Sequence, residues 1–374
     1  MKRDTLCIHG HKHESYGTGA ITPPIFQSST FARVGVGEAT DHIYSRIQNP
    51  TRDAAEKTIA ALEGANEGFA FSSGMAAIST VMELFASGDH IIATEDLYGG
   101  AIRLFTNQKH GLEFTYVDTG DVNAVKTAIK PNTKAIYLET PTNPLIHVTD
   151  IAAIRAAVPK SFIIIVDNTF LTPYLQNPLE HGADIVVHSG TKYLSGHSDA
   201  LAGFAVANCP KICEELRTNH KSIGACLSPF ESFLVVRGIK TLALRMDRIE
   251  SNTLAIANWL RTHPKIKSVN YAGFPSHPSY EISKKQARGF GGMLSFETDT
   301  KETAHALLTN VKIVTYAESL GCVNSLITIP ATCTHEDVPI DVRNARGITD
   351  KLVRFSVGIE NPQDIIDDLA QAMA

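Results

Sequence analysis

The apolar positions of this chain come in short bursts. From Asn49 to about residue 240, brief runs rich in β-branched and aromatic residues alternate with stretches of helical character. The runs are 68–72, 90–94, 113–117, 135–139, 163–167, 185–188 and 203–207. Such alternation predicts an α/β domain on a mostly parallel, seven-stranded sheet. A helical pattern from Ser228 to about Leu260 then leads into a smaller region. Strand-like runs at 293–297, 312–316, 326–329 and 352–357 lie between helices there, which predicts a second, α+β domain. The first 45 residues are rich in Gly, Pro, Ser and Thr, with Pro23-Pro24 in the middle. They predict an irregular arm with little core of its own, lying against something else. The expected division is an arm at 1–45, an α/β domain at 46–240 and an α+β domain at 241–374.

Composition narrows the class. The 374 residues are enough to bury a large core, and 43% hydrophobic with 20% charged content suits an ordinary globular protein. A net charge of −5 gives no sign of a nucleic-acid partner. No apolar run approaches the roughly 20 residues that a membrane span needs. No apolar core of a signal peptide follows Met1-Lys2-Arg3-Asp4-Thr5. Cys7, Cys209, Cys213, Cys226, Cys322 and Cys333 form no disulfide framework, so a reducing cytoplasm is the expected home. Cys209 and Cys213 have no second ligand pair nearby. His9, His11 and His13 alternate in a polar arm and read as solvated side chains. No metal site is expected.

The polar residues that break the apolar runs carry the chemistry. Phe162 to Val166 is an apolar strand that ends in Asp167-Asn168-Thr169. One crossover later, Ile185-Val186-Val187 ends in His188-Ser189-Gly190-Thr191-Lys192. A strand-end Asp followed by a strand-end Ser-x-Thr-Lys fits pyridoxal phosphate. The Lys forms a Schiff base, the Asp keeps the pyridine nitrogen protonated, and the hydroxyls take part of the phosphate. A lone Lys would read as a solvated one; the ordered pair does not. Phe71-Ser72-Ser73-Gly74-Met75-Ala76 reads as strand, turn and helix start, whose free N–H groups suit a phosphate. Asp96-Leu97-Tyr98-Gly99-Gly100 places a ring beside two glycines that let backbone come close to a planar group. Asn143, in Glu139-Thr140-Pro141-Thr142-Asn143-Pro144, is placed to donate to a phenolate or carboxylate. Gly35-Val36-Gly37 is followed by Thr40, without strand or helix around it, and is no dinucleotide fingerprint. No P-loop pattern occurs.

Together these segments resemble one family. Tyr44-Ser45-Arg46, Asn49-Pro50-Thr51-Arg52, Ser72-Ser73-Gly74-Met75-Ala76, Leu97-Tyr98-Gly99-Gly100, the Glu139 to Pro144 turn, Val166-Asp167-Asn168-Thr169-Phe170, His188 to Tyr193 with Gly196-His197-Ser198-Asp199, Ala317-Glu318-Ser319-Leu320-Gly321 and Arg354 to Glu360 look like the trans-sulfuration enzymes of Cys/Met metabolism, which use pyridoxal phosphate. The resemblance spans nearly the whole chain, in order. It implies the aminotransferase fold (fold type I) and a homotetramer made of two tight dimers. It implies that Lys192 carries the cofactor and shuttles protons, that Tyr98 stacks on the ring and assists, and that Asp167 pairs with the ring nitrogen. Gly74, Met75, Ser189 and Thr191 are then phosphate ligands. Tyr44 and Arg46 reach the phosphate of the neighbouring subunit. Arg354 clamps the substrate α-carboxylate with help from Asn143 and the backbone at Ser319.

The members of the family share this machinery, so substrate rests on fewer positions. Glu318 resembles the acid that holds the distal ammonium of cystathionine, Arg103 matches a residue of cystathionine γ-lyases, and Gly100 stands where methionine γ-lyases carry Cys. Ile43 departs, since cystathionine enzymes often carry an acid before Tyr-Ser-Arg. The resemblance is strongest to bacterial cystathionine γ-lyases, with cystathionine γ-synthase, cystathionine β-lyase and methionine γ-lyase as alternatives. Fold alone leaves a non-catalytic binding protein open. Lys192, Asp167, Tyr98 and Arg354 are all present, which favours the enzyme.

Overall fold

The computed structural model describes residues 1–11, 17–107, 111–336 and 340–374. Seven strands form the larger sheet: β1 (Glu67–Phe71), β2 (His90–Thr94), β3 (Glu113–Val117), β4 (Thr133–Glu139), β5 (Ile163–Asp167), β6 (Ile185–Ser189) and β7 (Gly203–Ala207). Their order is β1-β7-β6-β5-β4-β2-β3. β2 to β6 run parallel, whereas β7 is antiparallel to both of its neighbours. Central strands of such a sheet are covered on both faces, so they read as unbroken apolar runs. Ile164, Ile165 and Val166 accordingly show 0% exposure. Val166, Val186 and Phe204 pack with Ile59 and Leu62 on one face, and Ile165, Val187 and Phe69 pack with Val81 on the other. Each such aliphatic side chain contributes about 1.5–3 kcal/mol by leaving water.

The helix that supplies Ile59 and Leu62 is well specified locally. Among the described helices, α1 is Arg3–His9 and α2 is Pro50–Glu63. Asn49 caps α2 by accepting from Thr51 N and Arg52 N, Pro50 opens it, and Gly64 closes it at φ 70°. A cap of this kind is worth about 1 kcal/mol. Helix α1 corrects the expectation of an arm irregular from its first residue. Leu6 and Cys7 give it an apolar side, and it docks on α2 and on the helix Leu242–Leu260.

The second sheet holds β8 (Ile266–Asn270), β9 (Met293–Thr298), β10 (Thr315–Tyr316), β11 (Leu326–Thr328) and β12 (Leu352–Ser356), in the order β10-β11-β12-β9-β8. Three details differ from the sequence reading. The helical pattern after Ser228 is two helices, Pro229–Ile239 and Leu242–Leu260. At the break the Gly238 carbonyl accepts from Thr241 N at 3.1 Å and from Arg245 Nη2 at 2.8 Å. The run 312–316 pairs as a strand only at its end, because the Asp368 carboxylate takes the N–H groups of Lys312, Ile313 and Val314. Strand β8, Ile-Lys-Ser-Val-Asn, is half-exposed at the sheet edge and too polar to stand out in the sequence.

Candidate active site

The carboxyl ends of the parallel strands open into a cavity of about 350 Å³. Ligands in open α/β sheets bind at this edge. Ser73, Gly74, Met75, Tyr98, Asn143, Asp167, Ser189, Thr191, Lys192, Glu318, Ser319 and Arg354 all line it. The cavity therefore gathers residues that lie up to about 280 positions apart in the chain.

Lys192 projects from the turn after β6. Its Nζ donates to Ser319 Oγ at 2.7 Å. Burial lowers its ammonium to about 8, and the nearby Arg354 charge adds to the fall. Ser319 holds φ 82°, a left-handed conformation that a serine pays to adopt, and its carbonyl accepts from Arg354 Nη2 at 2.7 Å. Arg354 lies on β12, 2% exposed, and its Nη1 donates to Asn143 Oδ1 at 3.3 Å. Burial lowers its guanidinium to about 10, which the charge of Glu318 opposes. Between these groups an anionic carboxylate would find a planar donor already held in place.

Asp167 closes β5 at the cavity floor. Its Oδ1 accepts from Thr169 N at 3.0 Å, and Tyr137 Oη donates to Oδ2 at 3.4 Å. Burial pushes its carboxyl up, while the Thr169 hydrogen bonds and the charge of His188 pull it down. At the other end, Ser73 caps helix α3 (Gly74–Met82) by accepting from Ala76 N at 3.1 Å. A Cβ on Gly74 would stand 2.9 Å from Ser189 Cβ, so glycine is what lets the helix start meet the β6 turn. The result is a cradle of N–H groups and hydroxyls above a carboxylate. It offers the kinds of group that a phosphorylated pyridine ring would meet, with an amine at one side.

Tyr98 stands at the start of helix α4 (Gly99–Thr106), 42% exposed and lining the cavity. A Cβ on Gly100 would meet Tyr98 Cε1 at 2.4 Å, so the ring lies on bare glycine backbone. Its N–H donates to Glu139 Oε2 at 2.9 Å. Sequence reasoning assigned Glu139 no role. It ends β4 in register with Asp167 and lines the same cavity. Burial, then the Asp167 charge, drives its carboxyl well above the usual range. Thr169 was missed likewise: its Oγ1 accepts from Ser189 N at 2.8 Å and joins the two cofactor strands. Strand-end position was the available signal for both.

Three expected residues stand away from this cavity. Arg103 lies on the exposed side of α4. Tyr44 is 41% exposed, and the Arg46 guanidinium sits 5.5 Å from its ring centre while bonding the Lys221 carbonyl. The segment that carries them is held rigidly. Buried Arg52 donates to Ser45 O at 2.6 Å and Ile47 O at 2.9 Å. No group of three or more metal-ligating side chains occurs among the described residues, and His13 lies outside them. No helix among the described residues is long and apolar enough to cross a membrane.

Known proteins match this chain along its length. A family model described as "Cys/Met metabolism PLP-dependent enzyme" matches residues 4–374. A cystathionine gamma-lyase of Bacillus subtilis is 49% identical, with 100% of this chain and 99% of the relative covered. A cystathionine beta-lyase of Lactococcus lactis is 47% identical over 99% of this chain and 98% of the relative. The crystal structure of cystathionine gamma-lyase from Lactobacillus plantarum complexed with L-serine superposes with a TM-score of 0.97 at 46% identity, covering 100% of this chain and 98% of that one. The motif-bearing strand ends, the cavity they enclose and these full-length likenesses agree: the chain belongs to the Cys/Met-metabolism enzymes, a lyase-type enzyme with the aminotransferase fold and pyridoxal phosphate as its cofactor.

Proposed function

We propose that this enzyme cleaves cystathionine by γ-elimination, with water completing the release of cysteine, 2-oxobutanoate and ammonia. The observation that carries the reading is Glu318. It lines the cavity next to Ser319, where its charge is felt by both Lys192 and Arg354. An acid there suits a substrate with a second ammonium group, which cystathionine has and methionine lacks. The 49% identical relative named cystathionine gamma-lyase supports the same choice.

When bound, the cofactor supplies an electron sink that acidifies the substrate C–H bonds. The protein residues do the rest. Lys192 holds the cofactor covalently through Nζ and, once freed, takes protons at Cα and Cβ. The lowering of its ammonium to about 8 puts a useful fraction in the basic form near neutrality. Asp167 pairs with the ring nitrogen, and Tyr98 covers the ring and assists proton transfer. Gly74, Met75, Ser189 and Thr191 hold the phosphate. Arg354, with Asn143 and the Ser319 backbone, grips the α-carboxylate. Glu318 takes the distal ammonium, while Arg103, on the exposed side of α4 outside the cavity, is assigned to the distal carboxylate on the family resemblance alone.

We assign residues 1–45 as an N-terminal arm that, beyond helix α1 docked on its own chain, contacts a neighbouring subunit, 46–240 as the cofactor domain and 241–374 as the C-terminal α+β domain of a homotetramer. Ile21 and Val34, each 80% exposed, support the arm's role, since apolar groups so placed favour burial on another chain. Tyr44 and Arg46 then serve the phosphate of that neighbour.

Product analysis tests the reading directly. Incubation with cystathionine should give cysteine and 2-oxobutanoate. Homocysteine and pyruvate would establish β-elimination instead, the reading favoured by the 47% identical beta-lyase relative. Specificity has its own test. A charge-assisted hydrogen bond is worth about 1.5–3 kcal/mol. Glu318→Val should therefore lower kcat/KM for cystathionine about tenfold or more, while methionine turnover holds or rises. Equal losses for both substrates would reassign Glu318 to support of the Ser319 loop.

A further inference from the structure

Beneath the floor of the cavity lies a buried charge that the mechanism does not use. Glu63 is the last residue of α2 and shows 0% exposure. A carboxylate at that end faces the negative pole of its own helix. It is also far from water, where an ionised group survives only if fully hydrogen-bonded. Three donors answer it. His188 Nε2 approaches Oε1 at 2.7 Å and Asn168 Nδ2 donates to the same oxygen at 2.9 Å. Asn177 Nδ2 donates to Oε2 at 3.1 Å.

The chain positions of two of these donors give the cluster meaning. Asn168 directly follows Asp167, and His188 directly precedes Ser189. One carboxylate oxygen thus ties β5 and β6 together at the points where they deliver the ring-nitrogen partner and the phosphate and lysine turn. Asn168 is pinned further, since it donates to Gln176 O at 2.9 Å and accepts from Gln176 Nε2 at 3.0 Å. The pair also bears on charge. Around Asp167, β4 contributes Glu139 and the Tyr137 hydroxyl, β6 contributes His188, and Lys192 and Arg354 stand across the cavity. The Glu139 carboxyl works against an ionised Asp167, whereas the His188 charge favours it. His188 Nδ1 has no hydrogen-bond partner among the described residues, so the Glu63 contact is the one that sets its ring.

We propose that Glu63 and His188 are positioning residues for the cofactor: they lock the ends of β5 and β6 and keep Asp167 as the anion that the ring nitrogen needs. This rests on the assignment of Asp167 and Lys192 made above. The sign of the pH effect follows. Removing the His188 charge leaves burial opposed only by the hydrogen bonds from Thr169 and Tyr137, so the Asp167 carboxyl rises. Its carboxylate is then lost at higher pH as the solution is acidified, and cofactor binding is lost with it.

The test uses the holoenzyme dialysed against graded pyridoxal phosphate at several pH values, with retained cofactor read by absorbance. His188→Gln keeps a donor toward Glu63 without the charge. It should weaken cofactor retention about tenfold near neutral pH and move the acid limb up by about one pH unit, with substrate KM nearly unchanged. Glu63→Gln, which leaves His188 without its anion, should shift the limb the same way. In an Asp167→Asn background the His188→Gln effect should vanish, because no charge is left to hold. An acid limb that coincides with wild type while thermal stability falls would overturn the proposal, and so would an undiminished His188→Gln effect in the Asp167→Asn background. Wild-type retention by Asp167→Asn alone would instead remove the assignment of Asp167.

Discussion

Lys192→Ala should abolish turnover and release the cofactor from covalent attachment. The expected loss is large because one side chain serves twice. In the proposed mechanism its Nζ would bind the cofactor, and the same atom would move the protons at Cα and Cβ. Positioned acid–base catalysis alone is worth about 10²–10⁴-fold, and the covalent role multiplies it. The environment suits both tasks. Burial and the Arg354 charge lower the ammonium to about 8, and Ser319 Oγ at 2.7 Å holds the amine still. Wild-type protein should be yellow. Borohydride should leave the cofactor on the peptide that contains Lys192, and the Ala variant should lose it on dialysis. Label recovered on another lysine refutes the assignment.

Much of this site was legible in the sequence because it is built at strand ends. An apolar run that stops at a polar residue marks where a buried strand reaches the open edge of its sheet. Asp167, Ser189 and Lys192 announce themselves in that way, and Gly74 does so by opening a helix after a strand. Their companionship in one cavity follows from parallel strands that all end on the same side. Arg354 is different. It lies on β12 of the second sheet, and only the family resemblance linked it to residues more than 150 positions away. Glu139 escaped notice because it reads as the first residue of a Pro-rich turn. Its importance depends on register with Asp167, which pairing of strands decides. The Glu63–His188 contact was hidden more deeply. The two residues lie 125 positions apart, and nothing local in a helix-terminal Glu predicts that a strand will bring a histidine beneath it. In the second domain, Asp368 took N–H groups that a strand reading had given to a sheet neighbour. A side chain can outbid a ladder at a sheet edge, and no periodicity reports it.

The arm raises the remaining question of whether one chain holds a complete site. Within this chain, Tyr44 and Arg46 do not line the cavity, yet Arg52 and Asn49 fix their segment with partly buried hydrogen bonds. A rigid, half-exposed Tyr and Arg suit a ligand on another surface. A phosphate dianion in the Gly74 and Ser189 cradle would be met by N–H groups and hydroxyls, and a helix end supplies only about half a positive charge. A bidentate guanidinium from the neighbouring subunit would complete the compensation. Arg46→Ala should then lose most activity through weakened cofactor binding, and Lys192→Ala should be dead for a separate reason. Co-refolding equal amounts of the two variants makes the test decisive. In a two-fold dimer, half of the randomly paired products are mixed, and each mixed dimer has one site with both Lys192 and Arg46 intact. About a quarter of wild-type activity should return, and it should scale with the fraction of mixed dimers measured by tag-selective purification. Verified mixed dimers that stay as inactive as their parents would place Arg46 in the service of its own chain, with the Lys221 carbonyl as its working partner rather than a resting one.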